Sequence, residues 1–316
     1  MYSRTLQEQT CSCGRIRGVW LPVSTRRPMS PKDIAIALVP PLSWGAGFTL
    51  AKPAVEQFQP LFMMALIYLA LVLVLLPTAR APIRTPWPFL FAIAAFAVPI
   101  QGVFIFLGLK YLPASVATLV LQVQVPFAVL LGWLVGGEEI NARKIFGTFV
   151  ALAGVAAVVG LPHETPPILP VIYIILGSLF WAFGQVLARK LGRDAGIIQL
   201  KGMALAGLPQ IILATLIFEQ GQWNSVVTAG PEHWLALAFS TAVGFYLGYA
   251  VWFSLLRRHR MDEVAPFVLL MPVIGIATAA VVLGERISPV QLVGGMVILF
   301  GLAIVSGINP LRLRRA

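Results

Sequence analysis

At 316 residues, 59% hydrophobic and only 11% charged, with mean hydropathy +0.88, the chain is too apolar for a water-soluble domain, in which about a quarter of residues are charged. The same apolar content excludes an unfolded, solvated chain. Its net charge of +11 lies between apolar stretches rather than in one patch, so it reads as membrane topology and not as a nucleic-acid footprint.

In chain order, residues 1–28 come first. They contain no apolar run of signal-peptide length and are expected to be a disordered tail. Cys11 and Cys13 are the only two cysteines, which allows neither a disulfide framework nor a paired metal site. Met29-Ser30-Pro31-Lys32-Asp33 stands directly before the first apolar run and would make a natural start. Apolar runs able to cross a hydrocarbon core of about 30 Å then recur at residues 34–52, 60–77, 87–109, 115–135, 144–161, 168–188, 197–218, 233–256, 264–283 and 289–307. The connections carry breakers: Pro77, the Pro86–Pro88 run, Pro113, Gly136-Gly137, His163–Pro167 and Gly230-Pro231. The fold class is therefore all-α, a polytopic membrane protein of ten transmembrane helices.

Orientation follows from the basic residues. With the N-terminus cytoplasmic, all of the 23 Lys and Arg except Lys52, Lys110, Lys201 and Arg286 fall in cytoplasmic segments. Both termini are thus expected in the cytoplasm, residues 309–316 forming a basic tail. Trp87, Trp133, Trp223 and Trp234 read as interfacial belt residues.

The two halves repeat. Trp44, Gly47, Leu50 and Ala51 match Trp181, Gly184, Leu187 and Ala188, each run ending in a base, Lys52 or Arg189. Gly137-Glu138 with Gly147 and Gly154 matches Gly284-Glu285 with Gly294 and Gly301. The units are residues 29–162 and 163–308. Five helices is an odd number, so the second unit enters the membrane from the opposite side. Such inverted repeats are typical of alternating-access carriers, with the substrate bound between the halves near the midplane. The glycines of the fifth and tenth helices suit close packing within the chain rather than an oligomer interface. Neither a monomer nor a homodimer is singled out.

No GxxxxGK[ST], HExxH or GxSxG motif occurs, so enzymatic chemistry and a bound cofactor are not expected. His163, His233 and His259 lie far apart, which gives no metal site. No helix centre contains Asp or Glu, so a central proton-carrying acid is not visible. Glu138 and Glu285 read as helix caps or as partners of Arg143 and Arg286. A polyamine carrier would need buried carboxylates, and a non-transport membrane enzyme or scaffold would need a cluster of His, Asp or Glu.

Ten helices, the inverted repeat, Trp-Gly in the first helix and Gly-Glu after the fourth and ninth resemble the EamA branch of the drug/metabolite transporter superfamily. So do Gln101, the run Leu119-Val120-Leu121-Gln122-x-Gln124, and Val264-Ala265-Pro266 with Leu269-Leu270-x-Pro272-Val273. Pro126 departs from the pattern, standing where an aromatic or small residue is expected. The resemblance implies export of small neutral metabolites of the amino-acid class, O-acetylserine- or cysteine-like, across the cell inner membrane. Drugs, polyamines and nucleoside-type metabolites are the alternative solutes.

Against that expectation, Gln101, Gln122 and Gln124 are amides in apolar helices. Each needs a partner in protein or substrate, because an unpaired amide in hydrocarbon is costly. They are the first candidates for a zwitterionic substrate, which needs both donors and acceptors. Trp44 and Trp181 recur at one repeat position and are expected to line the cavity. Tyr246 and Tyr249, three apart, are expected on one face of the eighth helix. Lys52 either snorkels to the outer interface or pairs with a substrate carboxylate, and Lys201 is expected to snorkel to the cytoplasmic surface.

Overall fold

The computed structural model describes residues 15–16, 19–20, 30–135, 141–159, 167–194, 196–256, 264 and 267–306. The Cys11 and Cys13 pair, Met29, the Gly137-Glu138 motif, Gly160, His163, Arg257, Arg258, His259, Ala265 and Pro266 lie outside them. Among the described residues, eight helices are long and apolar enough to span a membrane, and two shorter apolar helices follow. The spans are α1 (Pro31–Gln57), α2 (Pro60–Thr78), α3 (Trp87–Tyr111), α4 (Ala114–Leu134), α5 (Ala142–Val159), α6 (Ile168–Leu191), α7 (Ile197–Phe218) and α8 (Pro231–Trp252), and the shorter pair are α9 (Met271–Val282) and α10 (Pro289–Val305). In the described part of the tail, Arg15–Ile16 and Val19–Trp20 form a two-residue antiparallel ladder.

Proline decides where these helices deviate, since it lacks an N–H and crowds the carbonyl four residues back. α1 starts on a Ser30 cap with Pro31 in its first turn, and the Ser30 side chain accepts from the Asp33 amide at 3.1 Å. It is interrupted at Leu38 and again at Leu50–Ala51, ahead of Pro40–Pro41 and Pro53. In α3 the segment Phe96–Ile100 widens into a π-helical turn around Pro99. In α4, Pro126 withholds the bond that Gln122's carbonyl would accept, and Leu121–Val123 tightens to 3₁₀. The proline that departs from the family pattern therefore reshapes the helix within the Gln122–Gln124 motif.

Helix ends are closed by side chains from elsewhere in the chain. Glu285 accepts from the amides of Ala114 (2.6 Å) and Ser115 (3.0 Å) and from the Ser115 hydroxyl (2.6 Å) at the start of α4. Glu219 accepts from the amides of Leu61 and Phe62, both at 2.8 Å, at the start of α2. Lys201 Nζ donates to the carbonyls of Ala79 (2.7 Å) and Ala81 (2.9 Å) just beyond the end of α2. The orphan amides and carbonyls of a helix carry partial charge of the matching sign. Lys201 is 8% exposed, so it does not snorkel to the surface as expected; the neighbouring carbonyls hold it inside. Glu285 caps, as one of its two sequence readings had it, but it caps a helix of the other repeat.

The repeats interleave rather than forming two lobes. The most extensive helix packings are α5 with α10 and α3 with α6, followed by α1 with α8, α4 with α6, α2 with α7 and α1 with α9. Each of these pairs crosses between repeats, and the first helix of each unit lies on the third and fourth helices of the other. Between α5 and α10, a methyl at Gly147 would stand 2.8 Å from the Gly301 carbonyl, and one at Gly154 2.9 Å from the Gly294 carbonyl. Gly147 and Gly294 are repeat equivalents, as are Gly154 and Gly301, so the two helices cross antiparallel as an inverted repeat demands. Their glycine faces pack within the chain. Outward faces such as Leu216, Phe218, Val281 and Phe300 are exposed and apolar, which suits lipid rather than water.

Candidate functional site

Two seams meet in the middle of the bundle. In the α1–α8 seam, Gly47 lies over Gly244, where a methyl on Gly47 would come within 2.6 Å of the Gly244 Cα. In the α3–α6 seam, Gly184 lies over Ala97, where a methyl on Gly184 would stand 2.7 Å from the Ala97 Cβ. Both seams fall on widened turns: Gly244 belongs to the π-helical Ser240–Leu247 of α8, and Ala97 to Phe96–Ile100 of α3. Gly47 and Gly184 are repeat equivalents, so Gly244 and Ala97 hold equivalent places. Four residues on, so do Gly248 and Gln101.

Trp44 and Trp181, one helical turn from those glycines, are joined by Tyr249. The Tyr249 ring packs on Trp44 with centroids 5.2 Å apart, and Trp252 meets Trp44 edge-on at 5.5 Å. The Trp181 side chain hydrogen-bonds Tyr249; an indole N–H can only donate, so the tyrosine oxygen accepts. Phe245 and Tyr68 continue the aromatic row behind Tyr249, at centroid distances of 6.4 and 6.0 Å. Trp181 shares the α6 face of Gly177 and Gly184, and Gly177 lies against the Gln101 backbone, which puts Gln101 beside Trp181 in the same seam.

Two polar groups here have no hydrogen-bond partner among the described residues. Trp44 Nε1 is buried and, among the described residues, makes no hydrogen bond. The Gln101 side chain is 9% exposed and likewise makes none among the described residues. A buried donor left unpaired costs about 1–3 kcal/mol, so the enclosed Trp44 nitrogen is where a partner would gain most.

The other candidates lie elsewhere. Gln122, 2% exposed, donates to the Thr118 carbonyl of its own helix at 3.2 Å. Gln124 is half-buried beyond the 3₁₀ turn. Tyr246 lines a crevice of about 400 Å³ between α2 and α8, with Leu66, Val74, Trp234 and Leu237. It is thus not on the Tyr249 face, because the widened turn that ends at Leu247 rotates the residues after it away from normal helical register. Lys52 is half-buried; its Nζ donates to the carbonyls of Leu109 (3.0 Å) and Leu112 (2.7 Å) and pairs with Glu56 at 3.4 Å. Those contacts engage all three ammonium donors. Sequence reasoning did not pick out Gly248 or the joining role of Tyr249; the only signal was the repeat alignment of Gly248 with Gln101. Among the described residues no group of three or more His, Cys, Asp or Glu is placed to hold a metal.

On the cytoplasmic side of the expected topology, Asp194 accepts from the amides of Arg84 and Thr85, both at 2.9 Å, and so ties the α6–α7 connection to the α2–α3 connection. Partial burial pushes the Asp194 carboxyl up, but its hydrogen bonds to Thr85 and Arg84 and the Arg84 charge outweigh that and hold it below the usual carboxylate range.

The chain matches the EamA-like transporter family over residues 32–160 and again over 168–307. A probable amino-acid metabolite efflux pump of Salmonella typhimurium is 31% identical over 288 residues, covering 87% of this chain and 95% of that protein. A protein of the same description from Escherichia coli is 29% identical, covering 91% and 98%. A solved structure described only as a crystal structure of a protein superposes with TM-score 0.62 at 19% identity, covering 87% of this chain and 98% of its own, and supports the fold alone.

Proposed function

This chain belongs to the EamA-like transporter family, and from that premise we propose that it exports small neutral metabolites of the amino-acid class by alternating access. The proposal places it in the cell inner membrane with both termini cytoplasmic, catalysing no covalent step. One observation carries the site: two tryptophans from equivalent places in opposite repeats meet through Tyr249, beside a buried indole N–H with no partner among the described residues. Inverted-repeat carriers bind their solute where the repeats meet. The site on this reading is Trp44, Trp181, Tyr249 and Gln101. The two relatives described as probable amino-acid metabolite efflux pumps support the solute class. Gln122, bonded within its own helix, and Lys52, engaged at a helix end, are assigned to structure.

The test is efflux of a labelled metabolite panel from loaded proteoliposomes, with and without a pH gradient. Amino-acid-class solutes should leave faster than from protein-free vesicles. Gln101→Leu should reduce that efflux, while Gln122→Leu at equal membrane level should preserve it. A panel in which only drugs or nucleosides move would refute the solute class.

A further inference from the structure

Away from the central aromatic cluster, a cavity of about 420 Å³ opens at one end of the bundle, within the size range of small-molecule sites. Three helix ends form it: the start of α2 at Gln59 and Pro60, the end of α3 at Lys110 and Tyr111, and the end of α7 at Phe218, followed by Glu219. Two opposite charges line this cavity without meeting. Lys110 is half-buried and makes no hydrogen bond or ion pair with any described residue, Glu219 included. It differs in this from Lys52 and Lys201, which backbone carbonyls hold. The Glu219 carboxylate is fixed in the wall by the amides of Leu61 and Phe62 and by the Thr215 hydroxyl, each at 2.8 Å. Gln59, in the same wall, donates through Nε2 to the Gln220 carbonyl at 2.9 Å, and its enclosed Oε1 has no donor among the described residues.

One part of the wall thus offers acceptors and another a cation. A ligand of single charge would satisfy one and confront the other, whereas a zwitterion whose ammonium carries hydrogens answers both. The position of the cavity says which zwitterion. Helix ends of this kind lie where hydrocarbon gives way to water, at the depth of the lipid headgroups. Phe218 and Tyr111, which line the cavity, are 78% and 58% exposed, and Leu216 and Ile217 continue the exposed apolar surface along α7. Such residues at that depth face acyl chains and headgroups rather than water.

We propose that this cavity seats the headgroup of a phospholipid with a primary ammonium, the chemistry of phosphatidylethanolamine, its phosphate at Lys110 and its ammonium at Glu219, with the acyl chains along the outward face of α7. The lipid then bridges α2 and α3 of one repeat to α7 of the other.

The experiment titrates the full chain, delipidated in detergent, with phospholipids of identical acyl chains and measures the affinity of the first bound lipid by native mass spectrometry. Phosphatidylethanolamine should bind about tenfold more tightly than phosphatidylcholine, whose quaternary nitrogen has no N–H to donate, the ratio expected for one hydrogen bond to a charged group. It should also bind more tightly than anionic phosphatidylglycerol, which Glu219 opposes. Glu219→Gln, which keeps an acceptor for the α2 amides, should cut the ethanolamine-to-choline ratio to about threefold or less. Lys110→Gln should weaken both lipids by a similar factor and leave their ratio unchanged. Neither O-phosphoethanolamine nor cysteine at millimolar concentration should displace the lipid. Equal binding of the ethanolamine and choline lipids, tighter binding of phosphatidylglycerol, or unchanged affinities in Lys110→Gln would overturn the proposal, as would an unchanged ratio in Glu219→Gln. Displacement by either soluble zwitterion would give the cavity to a free solute and overturn the lipid assignment. Where Glu219→Gln does not insert, the lipid comparison on the unmodified protein and Lys110→Gln still decide it.

Discussion

Removing the Glu285 carboxylate separates a structural role for this residue from a proton-carrying one. The carboxylate receives two backbone amides and one hydroxyl at 2.6–3.0 Å, at the first turn of α4. Ala114 follows Pro113, so these amides have no carbonyl of the same helix to turn to. A helix cap is worth about 0.5–2 kcal/mol, and favourable charge at a helix N-terminus adds about 0.3–1 kcal/mol. Glu285 also links the α9–α10 connection to α4, so its loss loosens two elements at once. Glu285→Ala should therefore cost about 1–3 kcal/mol, allowing for overlap between the two terms. Glu285→Gln keeps one acceptor and should cost about half as much. Thermal unfolding of purified protein in detergent should rank the three proteins wild type, Gln, Ala. Efflux at a temperature where all three are folded should stay near the wild-type rate in both variants. If instead both variants melt with the wild type and both abolish pH-gradient-driven efflux, Glu285 is a proton carrier and the capping argument is wrong.

Other expectations follow from the same contacts. Gly147→Ala sets a methyl 2.8 Å from the backbone carbonyl of Gly301 and the backbone nitrogen of Val305, neither of which can yield, so membrane-inserted folded protein should fall sharply. Gly202→Ala meets nothing nearer than the Leu90 Cδ2 at 3.0 Å, the end of a flexible side chain, and should insert at the normal level on the same immunoblot. Lys201→Met leaves the Ala79 and Ala81 carbonyls unpaired and should cost about 1–3 kcal/mol, partly restored by Lys201→Arg in the same melting assay. For Asp194, a carboxyl held below its unfolded value stabilises the fold fully above that unfolded value, about pH 3.9, and loses the contribution as pH falls through the folded one. Asp194→Asn should thus melt below the wild type at pH 7, and the two curves should converge as the buffer is taken well below pH 4; a constant gap across that range would contradict the assignment.

Periodicity and composition determined that the chain crosses a membrane about ten times and that its halves repeat in opposite senses. Twenty apolar residues in a row have few places to go but hydrocarbon, and an odd-numbered repeat has no choice but to invert. Matching glycines in the fifth and tenth helices foretold a close crossing, because only a missing side chain lets two backbones approach. Trp44 and Trp181 were visible as a pair because they share a repeat position. Tertiary structure decided what each polar group does. Lys52, Lys201 and Glu285 look alike in a sequence, as charges near helix ends, yet each is claimed by backbone groups far along the chain, and no local pattern reveals which helix end lies nearby. Gln101 and Gln122 are the same residue type in the same setting; the Thr118 carbonyl occupies one and no described residue the other. The widened turn at Ser240–Leu247 sends Tyr246 to the α2–α8 crevice and Tyr249 to Trp44, a parting that regular helical spacing does not predict. Gly248 carries no side chain and so no chemical signal of its own. It matters only because Trp44, from the other repeat, lies across it.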